Sequence, residues 1–319
     1  MLPAPDDILA AAERLRGVTL RTPLIRSNAL SAKLNRDVFL KCEQQQTTGS
    51  FKLRGAYNAL ASLSERERVN GVVASSAGNH GLGLSYAARL LGVQVKVFIP
   101  ADAPAVKRDG IRSLGAEVDT SQPHYDEAHH AAVEYAEANH LPFINPCAGE
   151  DILAGQGTIA VEILEDLPDV ASLVLPFGGG GLFGGIGAFI RARAPNVRLI
   201  AAQGDRSDAL ARSLAAGQRV EVAVEPTLAD GLSGQVDDVG FAIGKFAVDE
   251  MRVVTEAEIE NAIAWLAREH GTRVEGSGAV SVAALLASRF PAPAGPVVAI
   301  LSGGNIDLHR WNSLIGASS

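Results

Sequence analysis

Cysteine is nearly absent: Cys42 and Cys147 are the only two in 319 residues, and they form no C-x-x-C pair. That excludes a disulfide framework and leads us to expect a reducing, cytoplasmic setting. An excess of basic charge is missing as well. The chain has 28 Lys and Arg against 36 Asp and Glu, a formal net charge of −8, so its electrostatics favour neither nucleic acid nor an anionic membrane as a partner. The start, MLPAPDDILAAAERLR, lacks the basic flank and apolar core of a secretory leader. One uncharged run, residues 172–190, has the length of a membrane span. It contains seven glycines and Pro176, however, and reads as strand, loop and helix. Several catalytic signatures are also missing. No glycine loop closes on Gly-Lys-Ser/Thr, there is no G-x-S-x-G elbow, and His124, His129 and His130 lack H-E-x-x-H spacing.

What is present is a chain that is 47% hydrophobic and 20% charged, long enough for one large domain or two smaller ones. Short apolar runs alternate with helical patterns. Strands are expected at Val72–Ser75, Val93–Ile99, Ala116–Asp119 and Pro142–Asn145, with helices at about His80–Leu91, Pro104–Leu114 and Tyr125–Asn139. The pattern restarts with strand Leu173–Pro176 and a helix to Arg193, then strand Val197–Gln203 and helix Asp208–Ala215. An irregular polar section, 217–252, precedes helix Glu256–His270, with Thr255 as its N-cap, helix Ala279–Ser288 and strand Pro296–Leu301. This alternation predicts parallel βαβ units in two α/β lobes around a cleft.

Four segments carry chemistry. Gly178-Gly179-Gly180-Gly181 lies between a strand and a helix, where free backbone N–H groups and the helix dipole suit a phosphate. The same glycines can simply allow close helix–sheet packing. Gly179 to Gly184 also reads G-x-G-x-x-G, with Asp205 near ribose-binding spacing, which keeps a nicotinamide oxidoreductase open as a second class. Lys52, behind Gly49-Ser50-Phe51, is a candidate amine nucleophile, although most lysines are simply exposed. Ser76-Ala77-Gly78-Asn79-His80 falls at a strand-to-helix junction and could hold a carboxylate or just cap the helix. Ser302-Gly303-Gly304-Asn305 closes the set.

Taken together and in order, these segments resemble the fold-type II pyridoxal-phosphate enzymes of the threonine dehydratase and serine racemase group. Thr22-Pro23-Leu24, Gly49–Ala56, Ala103-Pro104-Ala105-Val106-Lys107, Ala154-Gly155-Gln156-Gly157-Thr158 and Ala229-Asp230-Gly231-Leu232 extend the likeness over nearly the whole chain. The resemblance implies an α/β fold of two lobes, with open, twisted, mostly parallel sheets and helices on both faces. Residues 1–52 and 146–319 would form the large cofactor-binding domain, and residues 53–145 a small domain closing over the substrate.

It also implies roles. Lys52 would carry pyridoxal 5'-phosphate as a Schiff base, and Phe51 would pack on one ring face with Gly231 at the other. Gly178, Gly179, Gly180 and Gly181 would bind the phosphate, Asn79 the phenolic oxygen and Ser302 the pyridine nitrogen, with Glu275 nearby. Ser76, Ala77, Gly78, Asn79 and His80 would surround the substrate carboxylate, and Cys147 would shape the space for the β-substituent. The implied reaction is dehydration of a 3-hydroxy amino acid such as L-threonine or L-serine to a 2-keto acid and ammonia. A bulkier or acidic substrate (phenylserine, 3-hydroxyaspartate) and serine racemisation remain as alternatives. Serine racemases carry a serine where this chain has Ala77, and some relatives hold a divalent cation where it has Gln203 and Ala209. We therefore expect elimination and no metal. The expected partners are a small amino-acid substrate and a second copy of the chain, in a homodimer.

Overall fold

The computed structural model describes residues 1–287 and 294–316. Among the described residues nine strands form two sheets: β1 (Leu24–Arg26), β2 (Val38–Lys41), β3 (Val72–Ser75), β4 (Val95–Phe98), β5 (Glu117–Asp119), β6 (Ser172–Pro176), β7 (Arg198–Gly204), β8 (Glu250–Val254) and β9 (Val297–Ile300). The larger sheet has the order β1-β2-β9-β6-β7-β8, and the smaller is β3-β4-β5. Every pairing is parallel except β1 with β2. A parallel sheet needs cover on both faces, and the central strands show it. Along β6, Leu173 and Leu175 enter one apolar core while Val174 enters another, and β7 and β9 divide in the same way. In the smaller sheet Val72 and Ala74 face one cluster and Val73 the other.

Helix boundaries fall within a residue or two of the expectation at 79–91, 105–113, 125–138 and 209–216, the usual uncertainty of helix ends. Thr255 caps its helix as expected: its hydroxyl accepts from the Glu258 N–H, and the Glu258 carboxylate accepts from the Thr255 N–H at 2.7 Å. Ser288, expected as the end of the last helix, lies outside the described residues; that helix runs Gly276–Ala287, and a further helix, Leu308–Leu314, follows β9.

Two expectations fail. Pro142–Asn145 is not a strand but a single bridge of Phe143 to Val73. The Asn145 side chain takes the N–H groups of Cys147 and Ala148, at 2.8 and 2.9 Å, and turns the chain away from the sheet. The section 217–252 is also not wholly irregular, because it holds the helix Asp238–Ala247 and β8.

Behind the start of the helix Lys52–Ser62 lies a buried cluster of charge. Arg54, 1% exposed, pairs with Glu43 at 2.8 Å and with Glu162 at 2.6 Å, and Lys41 pairs with Glu162 at 2.5 Å. Thr22 Oγ1 donates to Glu43 at 2.5 Å, and Lys41 also donates to the Thr22 carbonyl at 2.8 Å. Burial alone would push the Glu43 carboxyl up, but Arg54 holds it below its ordinary value. Two cations and two anions cancel, and the cluster ties β2, the helix Lys52–Ser62 and the helix Glu150–Asp166 to one another.

Candidate active site

Lys52 is the first residue of its helix. The segment before it is stitched to the loop after β9. Phe51 N–H donates to the Ser302 carbonyl at 3.1 Å, Gly304 N–H donates to the Gly49 carbonyl at 2.9 Å, and Ser50 bridges Gly303. The Lys52 amine points away from its own helix. It donates to the Pro146 carbonyl at 2.8 Å, lies 3.7 Å from Cys147 Sγ, and sits 5.1 Å from the Phe51 ring centroid.

The second segment ends β3. Ser76 Oγ accepts from the Gly78 N–H at 3.2 Å, which leaves its own proton free for an anion. The helix Asn79–Leu91 begins next, and its first-turn N–H groups have no intrahelical partner. His80 does not offer its ring to the site, because Nε2 meets the Ile144 carbonyl at 2.9 Å and the side chain is buried. Burial, and then the charge of Lys52, push its pKa down to about 3, so the imidazole is neutral. What His80 leaves available is its backbone N–H, in the first turn of the helix. Ala77 places no proton donor or acceptor on its side chain.

The tetraglycine segment follows β6 and opens the helix Gly181–Arg193, with Gly180 in the left-handed region at φ +93°. It faces the same loop as the lysine: a Cβ on Gly179 would stand 2.9 Å from Cys147 Sγ. Cys147 therefore touches both the amine and the glycine loop. Gly231 N–H donates to Ser277 Oγ at 2.9 Å, and Ser302 Oγ lies 3.4 Å from the Ser277 carbonyl. Glu275, just ahead of the helix Gly276–Ala287, accepts from Asn79 Nδ2 at 2.7 Å. Burial and then the charge of Asp230 raise the Glu275 carboxyl to about 7.

All four segments thus converge where the carboxyl ends of the two sheets meet, the usual ligand position in open α/β folds. Sequence reasoning gave no role to four contributors. Ser277 and Asn305 lie within or beside recognised motifs, but nothing in their spacing gave a partner. Lys107 and Asp230 appeared only as motif letters, yet they pair across the two lobes at 3.2 Å.

Gln203 spends its amide on protein groups, donating to the Phe177 carbonyl at 2.9 Å and accepting from the Ala211 N–H at 3.0 Å. Among the described residues no group of three or more His, Cys, Asp or Glu could hold a metal ion. No helix there is long and apolar enough to cross a membrane. The donor set does fit pyridoxal phosphate. It has a primary amine for the aldehyde, a glycine-lined helix N-terminus for the dianion, an aromatic ring beside the amine, and an amide and a hydroxyl at the edges.

Comparison with known proteins agrees with that fit. The family profile of the pyridoxal-phosphate dependent enzymes matches residues 15–303. The L-threonine ammonia-lyase of Thermotoga maritima is 42% identical over 97% of this chain and 77% of its own length. The catabolic L-threonine dehydratase of Escherichia coli K12 is 38% identical over 98% of this chain and 96% of its own. Maize serine racemase superposes with a TM-score of 0.93 at 31% identity, covering 99% of this chain and 98% of that one. The chain belongs to the pyridoxal-phosphate dependent enzymes, with the two-lobed fold-type II architecture. Its G-x-G-x-x-G spacing is accordingly part of that family's loop and not a nicotinamide fingerprint.

The Glu275 environment gives a pH-dependent prediction. Its folded pKa, about 7, lies above the ordinary 4.5, so wild-type stability is lost as pH rises through that window and then levels. Glu275→Gln should therefore leave the stability of the cofactor-free protein unchanged at pH 4 and raise it by about 3 kcal/mol above pH 7. Urea titrations at pH 4 and pH 8 measure the difference, and an equal effect at both would contradict the assignment.

Proposed function

We propose that this enzyme is an ammonia-lyase that dehydrates a 3-hydroxy amino acid, L-threonine or L-serine, to a 2-keto acid and ammonia. The observation that carries the reading is the Lys52 amine, held 2.8 Å from the Pro146 carbonyl beside the glycine loop, with the side chain of Ala77 unable to exchange a proton. When bound, pyridoxal phosphate supplies an aldehyde for the amine and an electron sink that acidifies Cα. Gly178–Gly181 and the helix behind them would hold its phosphate, Phe51 and Gly231 would flank its ring, and Ser302 would meet the pyridine nitrogen.

Ser76 Oγ and the backbone N–H groups of Gly78, Asn79 and His80 hold the substrate carboxylate, which orients Cα toward Lys52. Lys52 Nζ, the amine held beside the glycine loop, would take the Cα proton. A neutral serine at the ring nitrogen, where an aspartate would favour a protonated ring, suits prompt loss of the β-hydroxyl. Cys147, beside the amine, leaves space for the β-substituent. The reading includes a homodimer in the cytoplasm. Supporting the cytoplasmic part are two free cysteines and the absence of any membrane-crossing helix among the described residues.

Three outcomes test the reading. Borohydride reduction should fix the cofactor to the peptide containing Lys52, and Lys52→Ala should lose both label and turnover; labelling of another lysine would refute the site. Because the Gln203 amide is engaged, activity should survive chelation, whereas a large loss with EDTA restored by magnesium would contradict this. With L-serine the products should be pyruvate and ammonia with little D-serine, and Ala77→Ser should introduce some racemisation. Interconversion of the serine enantiomers as fast as pyruvate formation by the unmodified enzyme would overturn the role of Ala77.

A further inference from the structure

Asn79 can turn either of two chemically opposite groups toward the cofactor. Its amide has nearly the same shape when rotated by half a turn, but one orientation presents N–H and the other presents a carbonyl oxygen. In the structure Asn79 Nδ2 donates to Glu275 at 2.7 Å, and Asn79 Oδ1 accepts from Asn305 Nδ2 at 2.7 Å. The orientation of Asn305 is fixed in turn, because the same Nδ2 donates to the Thr48 carbonyl at 2.8 Å, a group that can only accept. Both N–H groups of Asn305 are thereby spent on acceptors, and a second N–H of Asn79 is left over.

The backbone is built around this chain of amides. Gly49 has φ +74°, and a Cβ there would overlap the Asn305 side chain. A Cβ on Gly303 would overlap Glu275 and come within 3.1 Å of Asn79 Nδ2. The Gly49 carbonyl also accepts from Gly304 N–H at 2.9 Å, fastening the segment that leads to Lys52 to the loop bearing Asn305.

We propose that Asn305 is a positioning residue: by donating to Asn79 Oδ1 it locks the Asn79 amide so that an N–H, and not the carbonyl oxygen, faces the cofactor's phenolic oxygen. The inference rests on the pyridoxal-phosphate reading above. It separates a hydrogen-bonding role for Asn305 from a space-filling one, because aspartate has the same shape but no N–H.

The test is the dissociation constant of pyridoxal phosphate, measured by equilibrium dialysis on cofactor-free protein for the wild type, Asn305→Ala and Asn305→Asp. Asn305→Asp should bind more weakly than the wild type by on the order of ten- to a hundredfold, the size expected for a hydrogen bond to a charged group. Asn305→Ala, where water can replace the lost donor, should fall between. The pH midpoint of the bound cofactor's absorption change should rise in Asn305→Asp, since an oxygen facing the phenolic oxygen disfavours its ionised form. In an Asn79→Ala background Asn305→Asp should cost little more, because the two residues act as one unit. If Asn305→Asp binds like the wild type, or costs as much in the Asn79→Ala background, Asn305 does not act through Asn79. If the wild-type chain itself binds no pyridoxal phosphate, the functional reading fails instead.

Discussion

The buried cluster around Arg54 is the constraint on which the placement of the Lys52 amine depends. Lys52 and Arg54 share one helix, two residues apart, and Arg54 is anchored to Glu43 beside β2 and to Glu162 on the helix Glu150–Asp166. The same helix contributes Leu53, Ala56 and Leu60 to the core of the smaller sheet. One element thus carries the amine, binds the larger sheet through charge and supports the smaller sheet through apolar packing. A buried ion pair contributes little net stability when complete, but removing one partner costs about 3–5 kcal/mol by leaving the other charge stranded. The geometry is over-determined in just the place where a small displacement of Lys52 would lose the reaction.

Electrostatics divide the site between two helix N-termini. The helix Gly181–Arg193 and the helix Asn79–Leu91 both aim their positive ends at the junction of the sheets, where the proposed function puts the cofactor's phosphate and the substrate's carboxylate. Beside Lys52, burial holds His80 neutral, and where Glu275 meets Asn79, burial raises that carboxyl to about 7. The amine therefore has no imidazolium beside it that would hinder its proton transfer. The Lys107–Asp230 pair spans the lobes on the outer side, joining a helix of the smaller one to the turn that carries Gly231.

Much of this was legible before any coordinates. The run from β3 to the helix Tyr125–Ala138 could be read because short strands carrying Val72–Ala74, Val95–Phe98 and Val118 alternate with helices of 9 to 14 residues. β8 was hidden because it is an edge strand whose Glu250, Arg252 and half-exposed Val253 break the apolar pattern. The helix Asp238–Ala247 was hidden by Gly240 and Gly244, poor helix formers that permit close packing; a Cβ on Gly240 would stand 3.0 Å from the Gly179 carbonyl. In the site, the motifs announced which segments matter but not who bonds to whom. Asn79 and Glu275 are 196 positions apart and Lys52 and Pro146 are 94 apart, separations that only folding relates. His80 shows the limit most clearly, since its motif position put it in the carboxylate segment without giving the direction of its ring, which the structure turns to Ile144.

The central claim is that this arrangement eliminates the β-hydroxyl of a small amino acid. It is tested most directly by incubating the purified, cofactor-loaded enzyme with L-threonine, L-serine, phenylserine and 3-hydroxyaspartate and measuring the 2-keto acid and ammonia released. The account predicts equal amounts of the two products, with L-threonine or L-serine turned over fastest. A cofactor-loaded enzyme that releases neither product from any of the four would contradict it.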